Sequence, residues 1–162
     1  MTAPPLAPAE AAPFSFRLRV YWEDTDAGGV VFYANYLKFF ERARTEWLRA
    51  HGHAQQRLRE ECGAIFIVTD TSVRYLAPAR LDDLIDVDVR VVRASPARID
   101  FAQQARRDDG TPLAEARLRV ACVDAGTFRP RRIPIDLAFA DAAMANGDAA
   151  PPSGRDRGMR GP

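Results

Sequence analysis

Cysteine and histidine are scarce, with two of each in 162 residues. Cys62 and Cys122 lie far apart, with no CxxC pair and no histidine-rich neighbourhood. The usual sequence patterns of a zinc site are therefore missing. Buried free thiols are the expected state, and the chain needs no disulfide. The two histidines, His51 and His53, flank Gly52 and read as cap and loop residues. An excess of one charge is lacking too. The formal net charge is +1, and the arginines are scattered through amphipathic segments. No basic block marks a nucleic-acid footprint, so no nucleic-acid partner is expected. No apolar run is long enough for a transmembrane span. The opening MTAPPLAPAEAAP has neither a basic start nor a continuous apolar stretch, so it does not read as a secretory signal. A cytoplasmic protein is expected, free to visit a membrane surface as a peripheral partner. There is no internal repeat.

What is present is one domain's worth of chain. Hydrophobic residues make up 47% and charged residues 28%, the balance of a soluble globular domain. Seven of the twelve prolines sit near the two ends, at Pro4, Pro5, Pro8, Pro13, Pro151, Pro152 and Pro162. Residues 1–13 and 146–162 read as disordered tails around a single domain over 14–145. In FRLRVYW, Leu18, Val20 and Trp22 alternate with Arg17, Arg19 and Tyr21, the period of a half-buried strand. A long helix is predicted over about 34–51, with Tyr36, Phe39, Phe40, Ala43, Trp47 and Ala50 on one face. Lys38, Arg42 and Glu46 lie on the other face. Glu41 and Arg44 are expected to pair on the helix surface. Gly52 ends this helix, and residues 54–61 suggest a second, short one.

The period changes after Gly63. Four β-branched or alternating segments follow in AIFIVTDTSVRYL, LIDVDVRVV, ARIDFAQQARR and LAEARLRVACVD. Asp109-Gly110 marks a hairpin turn, and a helical segment near 135–144 is expected to close the domain. Consecutive strands joined by short turns favour an antiparallel sheet. The apolar stripe of the long helix has one place to be buried, the concave face of that sheet. The fold class is α+β.

The stretch YWEDTDAGGVVFYANY, residues 21–36, concentrates acids, glycines and aromatics just before the long helix. Three readings compete. Asp24 or Asp26 can be a cap or turn residue, since free N–H groups and the helix dipole stabilise a carboxylate there. The DxD pair can hold a divalent ion, although Glu23 is the only obvious further ligand. Or the acid does chemistry. Gly28 and Gly29 let the backbone approach a ligand, and the N–H groups from Val30 to Asn35 would face the same space. A carboxylate beside such donors suits acyl hydrolysis: the acid attacks or activates water, and the helix start polarises the carbonyl.

The run RVYWEDTDAGGVVFYANYLKFFERARTEWLRAHG closely resembles the opening of the hotdog-fold acyl-CoA thioesterases of the 4-hydroxybenzoyl-CoA thioesterase/YbgC type. That branch is associated in bacteria with the Tol-Pal envelope system. The resemblance continues through VRYLAPARLDDLIDV and EARLRVACVD, covering roughly residues 15–135. Its DxDxxGxVxxxxY pattern, followed by ExxR on the helix, is far more specific than a lone DxD. It implies a hotdog fold, a sheet wrapped around one central helix. It also implies an acyl-CoA substrate, or one on acyl carrier protein, with no metal or redox cofactor. Homodimers, or dimers of dimers, would carry the active site at the subunit interface, and contact with the membrane would be peripheral, at the inner membrane. Residue by residue, Asp26 would be nucleophile or general base and Asp24 a turn former. Gly28, Gly29 and Val30 would shape the loop and its oxyanion donors. The N–H near Tyr33 would polarise the thioester, at a position where many YbgC-like members carry histidine. Phe32 and Asn35 are placed at the acyl pocket, and Arg80 and Arg98 either reach the CoA phosphates or stay solvated strand-edge arginines. A hotdog dehydratase would need a histidine beside the acid, and none lies in residues 21–36. The remaining rival is a carrier-binding or envelope-scaffold protein with little catalysis.

Overall fold

The computed structural model describes residues 13–136. The expected tails, apart from Pro13, and most of the helical segment near 135–144 fall outside those residues. The chain runs β1 (Phe14–Arg19), a single 3-10 turn (Trp22–Asp24), α1 (Asn35–Ala50), α2 (Gln55–Cys62), β2 (Ala64–Tyr75), β3 (Leu84–Ser95), β4 (Arg98–Arg107) and β5 (Pro112–Asp124). All five strands form one antiparallel sheet in the order β1-β3-β4-β5-β2. This is the α+β hotdog arrangement, with α1 packed on one face of the sheet.

The alternating strands bury the residues that their period marks out. Ile85, Val87, Val89 and Val91 of β3 are buried, as are Leu118, Val120 and Cys122 of β5. Against them α1 lays Tyr36, Phe39, Phe40, Ala43 and Trp47. Phe39 and Phe40 are fully buried, and each contributes about 2–3 kcal/mol of hydrophobic stabilisation. Gly52, at φ 86, takes the left-handed turn that lets the chain leave α1. Both cysteines are free thiols, Cys122 buried and Cys62 half-buried.

Two local expectations are corrected. Trp22 was placed on the buried face of the first strand, but it is 77% exposed. The strand stops at Arg19 because the Asp24 carboxylate accepts the Tyr21 N–H (2.8 Å). Asp24 N–H to Tyr21 O and Thr25 N–H to Trp22 O then close the 3-10 turn, and the indole is carried off the sheet. Nor do Glu41 and Arg44 hydrogen-bond each other. Glu41 accepts from the Thr45 hydroxyl (2.7 Å), while Arg44 donates to Gln103 Oε1 (2.8 Å). Gln103 is buried, and its amide nitrogen donates to Phe40 O (3.1 Å), which leaves its oxygen for Arg44. Burial holds the Arg44 pKa below its ordinary value, against the pull of Glu41.

Asp88 carries a pH consequence. It is buried on β3, and its carboxylate accepts the Gln104 N–H (2.7 Å), with Arg106 and Arg90 at 3.6 and 3.9 Å. Burial pushes this carboxyl above its ordinary value, outweighing the hydrogen bond and the arginines. Ionising it therefore costs the folded state. The stability it contributes in acid is lost as pH rises from the unfolded-chain pKa through the folded one. Asp88→Asn keeps the acceptor for Gln104 and removes the charge. Its melting temperature is expected to gain on the wild type as pH rises from about 4 to 7. A difference that stays constant over that range would contradict the assignment.

Candidate active site

The residues from 25 to 34, between the 3-10 turn and α1, form a loop tied down at both ends. At its base, Thr25 and Val31 make an antiparallel bridge, and Asp26 N–H donates to Val30 O (2.9 Å). Val31, buried, donates to Ala79 O (2.8 Å), which fastens the loop to the segment between β2 and β3. At its tip, Gly29 N–H donates to Asp26 O (3.0 Å) with Gly29 at φ 75, a conformation that glycine adopts without strain.

The two aspartates sit in opposite surroundings. Asp24 is 6% exposed, and its carboxylate is spent on the Tyr21 N–H. Its carbonyl accepts both Phe32 N–H and the Asn35 side-chain amide (2.9 Å each). Asp26 is exposed; Oδ1 accepts the Gly28 N–H (2.8 Å), and among the described residues Oδ2 has no donor. The DxD pair thus does not converge on one point. Among the described residues no three His, Cys, Asp or Glu side chains are grouped to hold a metal.

Behind Asp26 the chain enters α1. Asn35 N–H donates to Phe32 O (2.9 Å), and Tyr33 O accepts the Tyr75 hydroxyl (2.9 Å). Among the described residues, the N–H groups of Tyr33 and Ala34 meet no acceptor. Ala34 is the N-cap of α1 and Tyr33 precedes it, so both donors lie at the entry to the helix. An aromatic series leads from here into the core. Phe32 packs tilted against Tyr33 (4.6 Å between centroids), Tyr33 meets Tyr75 edge-on (6.2 Å), Tyr75 meets Tyr36 (5.6 Å), and Tyr36 meets Phe39 (5.7 Å). Phe32 and Tyr33 are exposed at the outer end, while Tyr36 is buried. Burial pushes the Tyr36 phenol up to about 12, so it stays neutral at physiological pH.

Most of the residues singled out in the sequence meet here: Asp26, Gly28, Gly29, Val30, Phe32, Tyr33 and Asn35. Asn35 is buried, and its side-chain amide ties the helix start to the Asp24 carbonyl. Arg80 lies beside the loop, one residue from the Ala79 carbonyl that holds Val31. It lines an open hollow of about 510 Å³ with Ala77, Pro78, Asp83 and Arg107. Arg107 is pinned there, donating to Asp83 (3.1 Å) and Pro78 O (2.7 Å), whereas the Arg80 guanidinium has no ion pair among the described residues. Arg98 is not brought to the loop. It pairs with Asp100 (3.7 Å) at the far end of the sheet, opposite Ala121. Tyr75 is opposite Ala114, so the two registers lie about 23 Å apart along β5. In the sequence Tyr75 falls in a β-branched strand segment and in the family-like VRYLAPARLDDLIDV, with no role of its own. Nothing in the 21–36 motif pointed to it, because its contact with Tyr33 spans 42 positions.

A five-stranded antiparallel sheet packed on one long helix, with an exposed aspartate in the loop before that helix, is the arrangement of the hotdog thioesterase class. Residues 20–143 match the thioesterase-like superfamily, and the chain belongs to it. Within that superfamily it falls with the YbgC acyl-CoA thioesterases. It is 47% identical to the acyl-CoA thioesterase YbgC of Haemophilus influenzae over 124 residues, 76% of this chain and 90% of the relative. It is 45% identical to the acyl-CoA thioester hydrolase YbgC of Escherichia coli O157:H7 over 121 residues, 75% of this chain and 90% of the relative. Among solved structures, a probable thioesterase from Bartonella henselae superposes with a TM-score of 0.71 at 34% identity, covering 76% of this chain and all of that one.

Proposed function

We propose that this protein hydrolyses acyl-CoA thioesters, giving a free carboxylic acid and CoA. What supports the reading is an exposed Asp26 carboxylate, held by the Gly28 N–H, in the same loop that leads to the Tyr33 and Ala34 N–H groups, which meet no acceptor among the described residues. The thioester carbonyl oxygen takes hydrogen bonds from the Tyr33 and Ala34 N–H groups, which strengthen as negative charge develops on it. Asp26 then acts by one of two balanced routes. As a base it takes a proton from water, whose oxygen attacks the carbonyl carbon, and the C–S bond breaks to release CoA thiolate. As a nucleophile it displaces the thiolate itself, and water opens the resulting anhydride. In both routes the thiolate is protonated to CoA, and no metal or redox cofactor takes part.

Phe32 and the Tyr33 ring, both exposed beside the loop, form the apolar wall for the acyl chain. Arg80, without an ion pair, is the cation for a CoA phosphate. The site is completed by a second copy. β2 is an edge strand of 12 residues with Val68 and Tyr75 exposed, and an unpaired edge of that length is a template for pairing. A homodimer, or a dimer of dimers, covers it. No helix of the described residues is long and apolar enough to cross a membrane. Work in the cytoplasm, with peripheral contact at the inner membrane beside a Tol-Pal-type envelope system, belongs to the same reading.

The test is CoA release by the purified protein from a series of aliphatic acyl-CoAs, 4-hydroxybenzoyl-CoA and acylated acyl carrier protein. Release of carrier thiol and free acid in equal amounts is expected from at least one of them. No release from any of them would leave a carrier-binding or envelope-scaffold protein and sink the hydrolase reading.

A further inference from the structure

We propose that Tyr75 is a positioning residue, which orients and polarises the Tyr33–Ala34 peptide, whose N–H is one of the two oxyanion donors. The proposal rests on the hydrolase reading above. The Tyr75 hydroxyl donates to Tyr33 O at 2.9 Å. That oxygen belongs to the peptide linking Tyr33 to Ala34. A trans peptide is planar, and its N–H points opposite to its C=O. Fixing the Tyr33 carbonyl therefore fixes the direction of the Ala34 N–H. The preceding peptide is fixed in the same way, because Asn35 N–H holds Phe32 O at 2.9 Å, which sets the Tyr33 N–H. Two adjacent donors without acceptors are thus each held from behind.

The hydrogen bond does more than orient. A donor on the carbonyl withdraws charge through the peptide, and bonds in such a chain strengthen one another. The Ala34 N–H is then a better donor than a free helix-start amide. The tyrosine is itself well supported. Its ring is held edge-on between Tyr33 and Tyr36, and its strand pairs with β5 at Ala114. Tyr75 also comes from the edge strand, so the donor geometry depends on how that edge is seated.

The experiment uses the full chain and its Tyr75→Phe variant, which keeps the ring contacts and removes the hydroxyl. The expected result is a fall in kcat of about tenfold with KM within twofold, since the bond matters most when charge develops on the substrate oxygen. The melting temperature should stay within about 2 °C, because a single exposed hydrogen bond is worth little. Independently of any turnover, the carbonyl carbon of Tyr33 and the amide proton of Ala34 should both shift in NMR spectra of the free variant. An unchanged kcat, or unmoved Tyr33 and Ala34 resonances, would overturn the proposal. So would a kcat loss that tracks a large drop in melting temperature. Failure of the hydrolase reading is seen separately, as a wild type that releases no CoA while the NMR shifts persist.

Discussion

Replacing Asp26 with Asn is expected to lower kcat/KM for acyl-CoA hydrolysis about a thousandfold, within the range that general-base groups contribute. The substitution is chosen for what it leaves alone. Asn Oδ1 can still accept the Gly28 N–H that Asp26 accepts at 2.8 Å, so the loop keeps its internal bond. Asp26 is exposed, so no cavity opens. What disappears is the negative charge, and with it both nucleophilic attack and proton abstraction. Thiol release followed alongside a thermal melt separates these effects. The rate should collapse while the melting temperature moves by no more than about 2 °C. Activity within threefold of the wild type would remove Asp26 from the chemistry by either route.

The second large effect comes from a residue that touches no substrate. A methyl group at Gly28 would lie 3.0 Å from Asp26 Oδ1 and 4.0 Å from its carboxyl carbon. The first distance is tighter than ordinary contact, and the atom it crowds is the end of a rotatable side chain. The carboxylate can move aside, so the fold loses little. The carboxylate proposed to act on the thioester is what moves, and a displacement of this kind costs a large factor in rate. Gly28→Ala is expected to reduce kcat/KM about thirtyfold with a melting temperature near that of the wild type. Steady-state kinetics on one good substrate, with a melt as control, decides it. An unchanged rate would mean that the position of the Asp26 carboxylate is not critical.

Local patterns made much of this molecule legible. The alternation through Ile85, Val87, Val89 and Val91, and the 3.6-residue stripe through Tyr36, Phe39, Phe40 and Ala43, led directly to strands and a helix that bury those residues. Trp22 broke the pattern because a side chain, Asp24, captured a backbone N–H and ended the strand early. Periodicity does not register that kind of competition. Arg44 was misplaced for a related reason. Spacing along a helix finds partners on the same helix, and the partner here is Gln103, 59 positions away. The division between Asp24 and Asp26 came from resemblance to a family, since both residues suit a turn equally well by chemistry alone. The structure adds the physical difference between them, one buried and bonded to Tyr21, the other exposed with an oxygen free. The bonds that place Asn35 and Tyr75 leave no local pattern in the chain: Asn35 reaches Asp24 and Tyr75 reaches Tyr33 only after folding.

The central claim is that water enters the acyl group through the Asp26 carboxylate. Single-turnover hydrolysis in oxygen-18 water, with enzyme in excess, tests it most directly when both the released acid and the peptide carrying Asp26 are weighed by mass spectrometry. The label should be recovered in the released acid or in the Asp26 carboxylate and in no other side chain, and Asp26→Asn should yield neither product on the same timescale. Label in a different residue, or a full turnover by Asp26→Asn at the wild-type rate, would contradict the claim.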